Sequence, residues 1–137
     1  MTNHYDLSDA QFEEAFSNCS LNPSVFNHEA HLRLAWIHIR NYGIEVALLT
    51  IPTQLKAYVK HLGAEDKYNA TLTHAAVKAV YHFMLKSYFA DFQAFIEGFP
   101  RLKTSFKDLM AAHYGFDIYN SAEARKEFLE PDLLPFD

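Results

Sequence analysis

Apolar residues in this chain recur at intervals of three and four and almost never alternate, and runs of β-branched residues are absent. That spacing gathers side chains on one face of an α-helix and would scatter them over both faces of a strand. The sequence therefore reads as all-α: a single compact helical bundle of about six to seven helices over residues 1–137, with an extended C-terminal tail. At 137 residues, half of them hydrophobic, such a chain buries roughly two thirds of its unfolded surface. Intrinsic disorder is excluded, and the core needs neither metal nor disulfide to hold it.

Cap signals place the helices. Ser8 with Gln11 forms a capping box, followed by an apolar face of Phe12, Ala15, Phe16 and Cys19. A second helix runs from the N-cap Asn27 to the C-cap Gly43, burying Leu32, Ala35, Trp36, Ile39 and Tyr42. The third spans about Ile44 to Gly63, and its stripe of Leu48, Ile51, Leu55, Val59 and Leu62 keeps helical phase across Pro52. A fourth starts near Asn69 or Thr71 and ends near Tyr88. Beyond Asp91, Phe92, Phe95, Ile96 and Phe99 make a short amphipathic helix, and Leu102, Phe106, Leu109 and His113 make another, ending at Gly115. Asn120 with Glu123 caps a last helix, after which Leu133, Leu134 and Phe136 fold back on the bundle.

Composition narrows the function. Twelve Lys and Arg against 17 Asp and Glu give a net charge of −5, and basic residues such as Arg33, Arg40, Lys56, Lys60 and Lys67 are scattered. Nucleic-acid affinity rests on a basic face that neutralises phosphates, so no nucleic-acid partner is expected. A single cysteine excludes an intrachain disulfide and a multi-thiolate zinc site. The polar start MTNHYDLSD and the lack of a long apolar run point to a cytoplasmic protein that does not enter a membrane. There is no GxSxG elbow, glycine-rich phosphate loop, HExxH or CxxC.

Histidines carry what chemistry there is: His4, His28, His31, His38, His61, His74, His82 and His113. His28 and His31, three apart at a helix start, project on one face within reach of a common atom. The helix dipole disfavours their cationic forms there, leaving neutral imidazoles able to hold a divalent metal, although a catalytic zinc takes three protein ligands. His31 is the candidate general acid or base. Tyr68, Asn69, Thr71, Thr73 and His74 form a second polar cluster, in which Asn69 and Thr71 also suit helix capping. If the second, third and fourth helices pack up, down, up, both clusters start at one end of the bundle. The expected ligand-binding set is then His28, His31, Tyr68, Asn69, Thr71 and Tyr114, with His28 and His31 as metal ligands.

The segments FNHEAHLRLAWIHIRNYG (26–43), KYNATLTHA (67–75) and ARKEFLEPDLLPF (124–136) resemble a family of small bacterial proteins without an assigned biochemical function. That family shows an FxHxxHxxxA helix start, a YHETxT-like helix start and an ARxxFxxPDLxP ending. In this chain His28 and His31 match the first motif, Tyr68, Thr71 and Thr73 the second, and Tyr114, Arg125, Pro131 and Asp132 the ending. Asn69 and Ala70 stand where the family has His and Glu, so the resemblance implies at most a partial metal site in this chain. The resemblance implies a small helical fold and no particular activity.

Two functional expectations follow. One is a pocket near His28 and His31 for a small anionic ligand or a divalent metal, with a small-molecule partner. The other is a non-catalytic helical interaction or accessory protein, homodimeric or bound to another chain, whose histidines are structural.

Overall fold

The computed structural model describes residues 3–136, and every regular element among them is helical: eight α-helices and three 3-10 turns. The expected all-α class holds. The helix number exceeds six to seven because Ser105, at φ −136° and ψ 32°, leaves the helical basin and divides the run from Leu102 to His113. The break turns Phe106 partly outward and brings Met110 into the buried set beside Leu102 and Leu109. Packing groups the helices into two units, one up to Tyr68 and one from Asn69 onward.

In the first unit, α1 (Asp9–Ser17) carries the expected box: the Gln11 N–H donates to Ser8 Oγ (3.2 Å) and the Ser8 N–H to Gln11 Oε1 (2.9 Å). Phe12 and Phe16 are fully buried. Cys19 is not on the helical core face. The helix stops at Ser17, and Cys19 is half-buried in the left-handed region, φ +64°. The Ser20 N–H reaches Ala15 O (2.8 Å) and the Cys19 N–H reaches Phe16 O (3.1 Å), so the last turn closes as a Schellman motif.

Helix α2 (His28–Tyr42) is capped by Asn27, whose Oδ1 accepts the Ala30 N–H at 2.9 Å. Gly43, at φ +89°, ends α2 and directly precedes α3 (Ile44–His61), and the two helices pack along each other. A positive φ in so short a link favours glycine. Tyr42 is half-exposed rather than core, because its hydroxyl turns outward to donate to Glu13 Oε2. Helix α3 runs through the buried Pro52. Its buried face is Ala47, Ile51, Leu55 and Tyr58, so the stripe is displaced at both ends, with Ala47 in place of Leu48 and Tyr58 in place of Val59, and Leu62 is exposed. Tyr58 replaces Val59 there because its hydroxyl donates to Leu21 O (2.9 Å) while its ring packs on Phe16 and Phe26.

In the second unit, α4 (Ala70–Met84) ends four residues short of Tyr88, which is 82% exposed. Helix α5 (Phe92–Gly98) is capped by Asp91, and α6 (Arg101–Thr104) and α7 (Phe106–His113) follow. Helix α8 (Ala122–Lys126) packs on α4 and is capped by Ser121, not Asn120. Asn120 is taken by a turn of its own, donating from both its backbone N–H and its Nδ2 to Asp117. The tail folds back, but not through its leucines: Leu133 and Leu134 are 55% and 56% exposed. It is fastened by the Leu133 N–H to His113 O (2.9 Å), the Gly115 N–H to Asp132 Oδ1 (2.7 Å) and the Phe136 ring stacked 4.1 Å from His113.

Candidate functional site

The two histidines of the first motif sit where the Asn27 cap places them. His28 is the first residue of α2 and exposed; His31, one turn on, is half-buried with its ring 4.8 Å from Phe26. Phe26 in turn meets Phe16 at 5.0 Å and Tyr58 at 5.2 Å, so His31 closes the edge of an aromatic cluster. Burial, with the neighbouring His28 adding to it, lowers the His31 pKa to about 4. The ring is neutral at physiological pH mainly through desolvation, where the helix dipole alone was the expected cause. An imidazole with so low a pKa is a weak proton carrier near neutrality. As metal donors the pair supplies two ligands. Among the described residues no group of three or more His, Cys, Asp or Glu gathers to hold an ion, short of the three protein ligands of a catalytic zinc.

Tyr68 follows the 3-10 turn Glu65–Lys67 and is half-buried, with the Lys56 ammonium 5.3 Å from its ring centroid. Together with Val59, Lys60 and Glu65 these two line an open groove of about 310 Å³.

The remaining candidates lie in the second unit, and all three hold backbone. Asn69 caps α4 by accepting the Leu72 N–H on Oδ1 (3.0 Å), while its Nδ2 donates to Ile118 O (2.9 Å). Thr71 Oγ1 donates to Glu127 O (2.9 Å) and accepts the Leu129 N–H (3.1 Å). Tyr114 is buried and donates to Leu129 O at 2.7 Å. Burial, with Glu130 and Asp132 nearby, pushes its phenol pKa far above the usual range. The structure thus brings Thr71 and Tyr114 together on one residue of the C-terminal segment. The Tyr114 ring also borders a second groove of about 190 Å³ with Met110, Phe116 and Tyr119.

Two arrangements escape sequence reasoning. His4 is fully buried: its Nε2 lies 3.0 Å from Glu29 Oε1 and its Nδ1 3.3 Å from Arg33. A guanidinium only donates, so Nδ1 accepts and Nε2–H donates to Glu29. Arg33, buried in turn, donates to His4 O, Leu7 O (2.8 Å) and Asp9 Oδ1 (2.9 Å). These partners stand 24 to 29 residues apart, beyond any helical period. The second is His38, 1% exposed, with neither ring nitrogen hydrogen-bonded. Every residue of α2 from Leu32 to Ile39 is buried, so His38 is enclosed off the expected apolar face, and nothing in the sequence marks its lack of partners.

No protein-family model, curated protein or solved structure matches the chain. No helix among the described residues is long and apolar enough to cross a membrane.

Proposed function

We propose that this chain is a non-catalytic helical interaction protein whose histidines serve the fold. The observation that carries this reading is the hydrogen bonding of Asn69, Thr71 and Tyr114, the side chains a ligand pocket would draw on: each binds backbone between residues 118 and 129. Four of the eight histidines are likewise engaged within the fold. His31 lies against Phe26, His74 against Phe128 at 5.0 Å, His113 against Phe136, and His4 between Glu29 and Arg33. Exposed apolar side chains where α2 meets α3 support an interaction role: Tyr42, Val46 and Leu49 are exposed, Leu49 by 74%, and α3 bears no charge between Glu45 and Lys56. Apolar side chains grouped on a surface mark sites of protein contact. The family resemblance contributes a helical fold to this reading and no activity.

The test sets His31→Ala against wild type in thermal-shift measurements with divalent metals and small carboxylates, and Leu49→Glu against wild type in sedimentation velocity. The reading expects no ligand-induced rise in Tm that depends on His31, and a self-association that Leu49→Glu weakens. A stabilising ligand whose effect vanishes in His31→Ala, with helicity intact, overturns it.

A further inference from the structure

The side chain that the fold explains least is His38. It lies in the last third of α2, 1% exposed, and neither Nδ1 nor Nε2 has a hydrogen-bond partner. Buried polar groups are nearly always paired, and one that is not calls for an explanation. In the neutral ring one N–H donor and one lone pair go unmet. In the protonated ring two donors and a charge would be buried together, a larger penalty.

The surroundings decide what protonation would do. Tyr42, one turn further along α2, has its ring 5.6 Å from that of His38, and its hydroxyl donates to Glu13 of α1. Glu13 is the charge that acts on His38, favouring the cation, while burial opposes it more strongly and lowers the pKa. The other acids of α1 are Asp9, paired with Arg33, and the exposed Glu14. Helix α3, packed along α2, carries Glu45, Lys56, Lys60 and His61, all exposed, and buries Ala47, Ile51, Pro52, Leu55 and Tyr58. On α2 itself, Arg33 is tied to Asp9 and Arg40 lies over Trp36. The carboxylate able to compensate a cationic His38 is therefore Glu13, which the Tyr42 hydroxyl already engages.

We propose that His38 is an acid-sensitive latch between α1 and α2: with its ring neutral α1 seats closed, and protonation of the ring loosens α1 and uncovers Phe12 and Phe16. The cation needs either Glu13 or water. Glu13 is already engaged by the Tyr42 hydroxyl and the ring is 1% exposed, so in this device reaching either one is coupled to a shift of α1, which carries Glu13. The device goes beyond an interaction role, since it makes exposure of an apolar face depend on pH.

Hydrogen exchange on the full chain between pH 7.5 and pH 5, corrected for intrinsic rates, tests this. Protection of the α1 amides is expected to fall about tenfold relative to the α3 amides in wild type, and to hold in His38→Leu. Glu13→Gln, which keeps an acceptor for Tyr42 and removes the charge, is expected to move the loss to lower pH. Should His38→Leu fail to fold, the ring of His38 is titrated by NMR in wild type and Glu13→Gln. An α1 that loosens equally in His38→Leu, a loss shared equally by α3, or a His38 ring that titrates with no change in α1 protection overturns the proposal.

Discussion

Thr71 and Tyr114 hold the two backbone groups of one residue: Thr71 Oγ1 accepts the Leu129 N–H at 3.1 Å, and the Tyr114 hydroxyl donates to the Leu129 carbonyl at 2.7 Å. Thr71 also donates to Glu127 O. A segment with prolines at 131 and 135 cannot satisfy its own backbone as a helix. These side chains do it instead, and their residue types, which read as ligand donors in isolation, are accounted for by that task.

Removing either grip should cost stability. Thr71→Val leaves the Leu129 N–H and the Glu127 carbonyl without their partner, and about 1–3 kcal/mol is expected in urea unfolding. Tyr114→Phe is expected to cost about 1–2 kcal/mol on the same grounds. Because both act on Leu129, the double variant should lose measurably less than the sum of the two. Full additivity, or unaltered stability in Thr71→Val, would show that the C-terminal segment is held by other means.

The pH dependence of stability has a definite sign. His31 has a folded pKa of about 4 against an ordinary 6.5, so the unfolded chain binds the extra proton between those values. Stability is then complete above pH 6.5 and is lost as the pH falls towards 4, by up to roughly 3 kcal/mol from this residue. His38, lowered by burial against the opposing pull of Glu13, acts in the same direction. Denaturant midpoints at pH 7.5, 6, 5 and 4 should decline in wild type and decline less steeply in His31→Phe. A wild-type midpoint unchanged between pH 7.5 and 5 would contradict the burial of both rings.

What was legible in the sequence is what is decided locally. The Ser8–Gln11 box, the Asn27 cap and Gly43 each act within four residues, and all three stand as read. The cap of α8 was misplaced by one residue because two local motifs compete: Asp117 captures Asn120 and leaves Ser121 to cap. The buried end of α3 has no local signature, since Tyr58 is engaged by Leu21 O, 37 residues away. In the candidate site, the cap made by Asn69 is local and legible, whereas the partners of Thr71 lie 56 and 58 residues away with no periodic signature, and His38 is buried off the expected apolar face of α2.

Two helix ends use one motif with different residues, which permits a comparison. After α3, Gly63 adopts φ +70° while its N–H reaches Lys60 O and the Ala64 N–H reaches Val59 O. After α1, Cys19 takes the equivalent place at φ +64°. A side chain in the left-handed region carries strain of order 1 kcal/mol that glycine does not. Cys19→Gly is therefore expected to raise stability by a few tenths to about 1 kcal/mol, reduced by lost packing of a half-buried thiol. Gly63→Ala, where an added Cβ meets open space, isolates the backbone effect and should cost about 1 kcal/mol. Thermal unfolding of the two variants checks the pair, and a destabilised Cys19→Gly would mean that the thiol's packing outweighs the strain.

Arg33 gives the sharpest case of a cation that organises the chain. Its guanidinium reaches Asp9 through Nε and Nη2, Leu7 O through Nη2 and His4 O through Nη1, and lies 5.0 Å from the Phe12 ring. Lysine carries the charge but cannot present donors in that fork. Arg33→Lys should lose about 1–3 kcal/mol, chiefly through the Leu7 carbonyl left without a donor, since the His4 carbonyl keeps the Leu7 N–H. Asp9 is 45% exposed, so water can replace its share. Arg40, exposed and lying over Trp36 at 4.9 Å, is the reference: Arg40→Lys should change stability by no more than about 0.5–1 kcal/mol. Urea unfolding measures both, and limited proteolysis should find the segment before α1 cut faster in Arg33→Lys alone. Equal losses in the two variants would mean that the fork of donors contributes nothing beyond its charge.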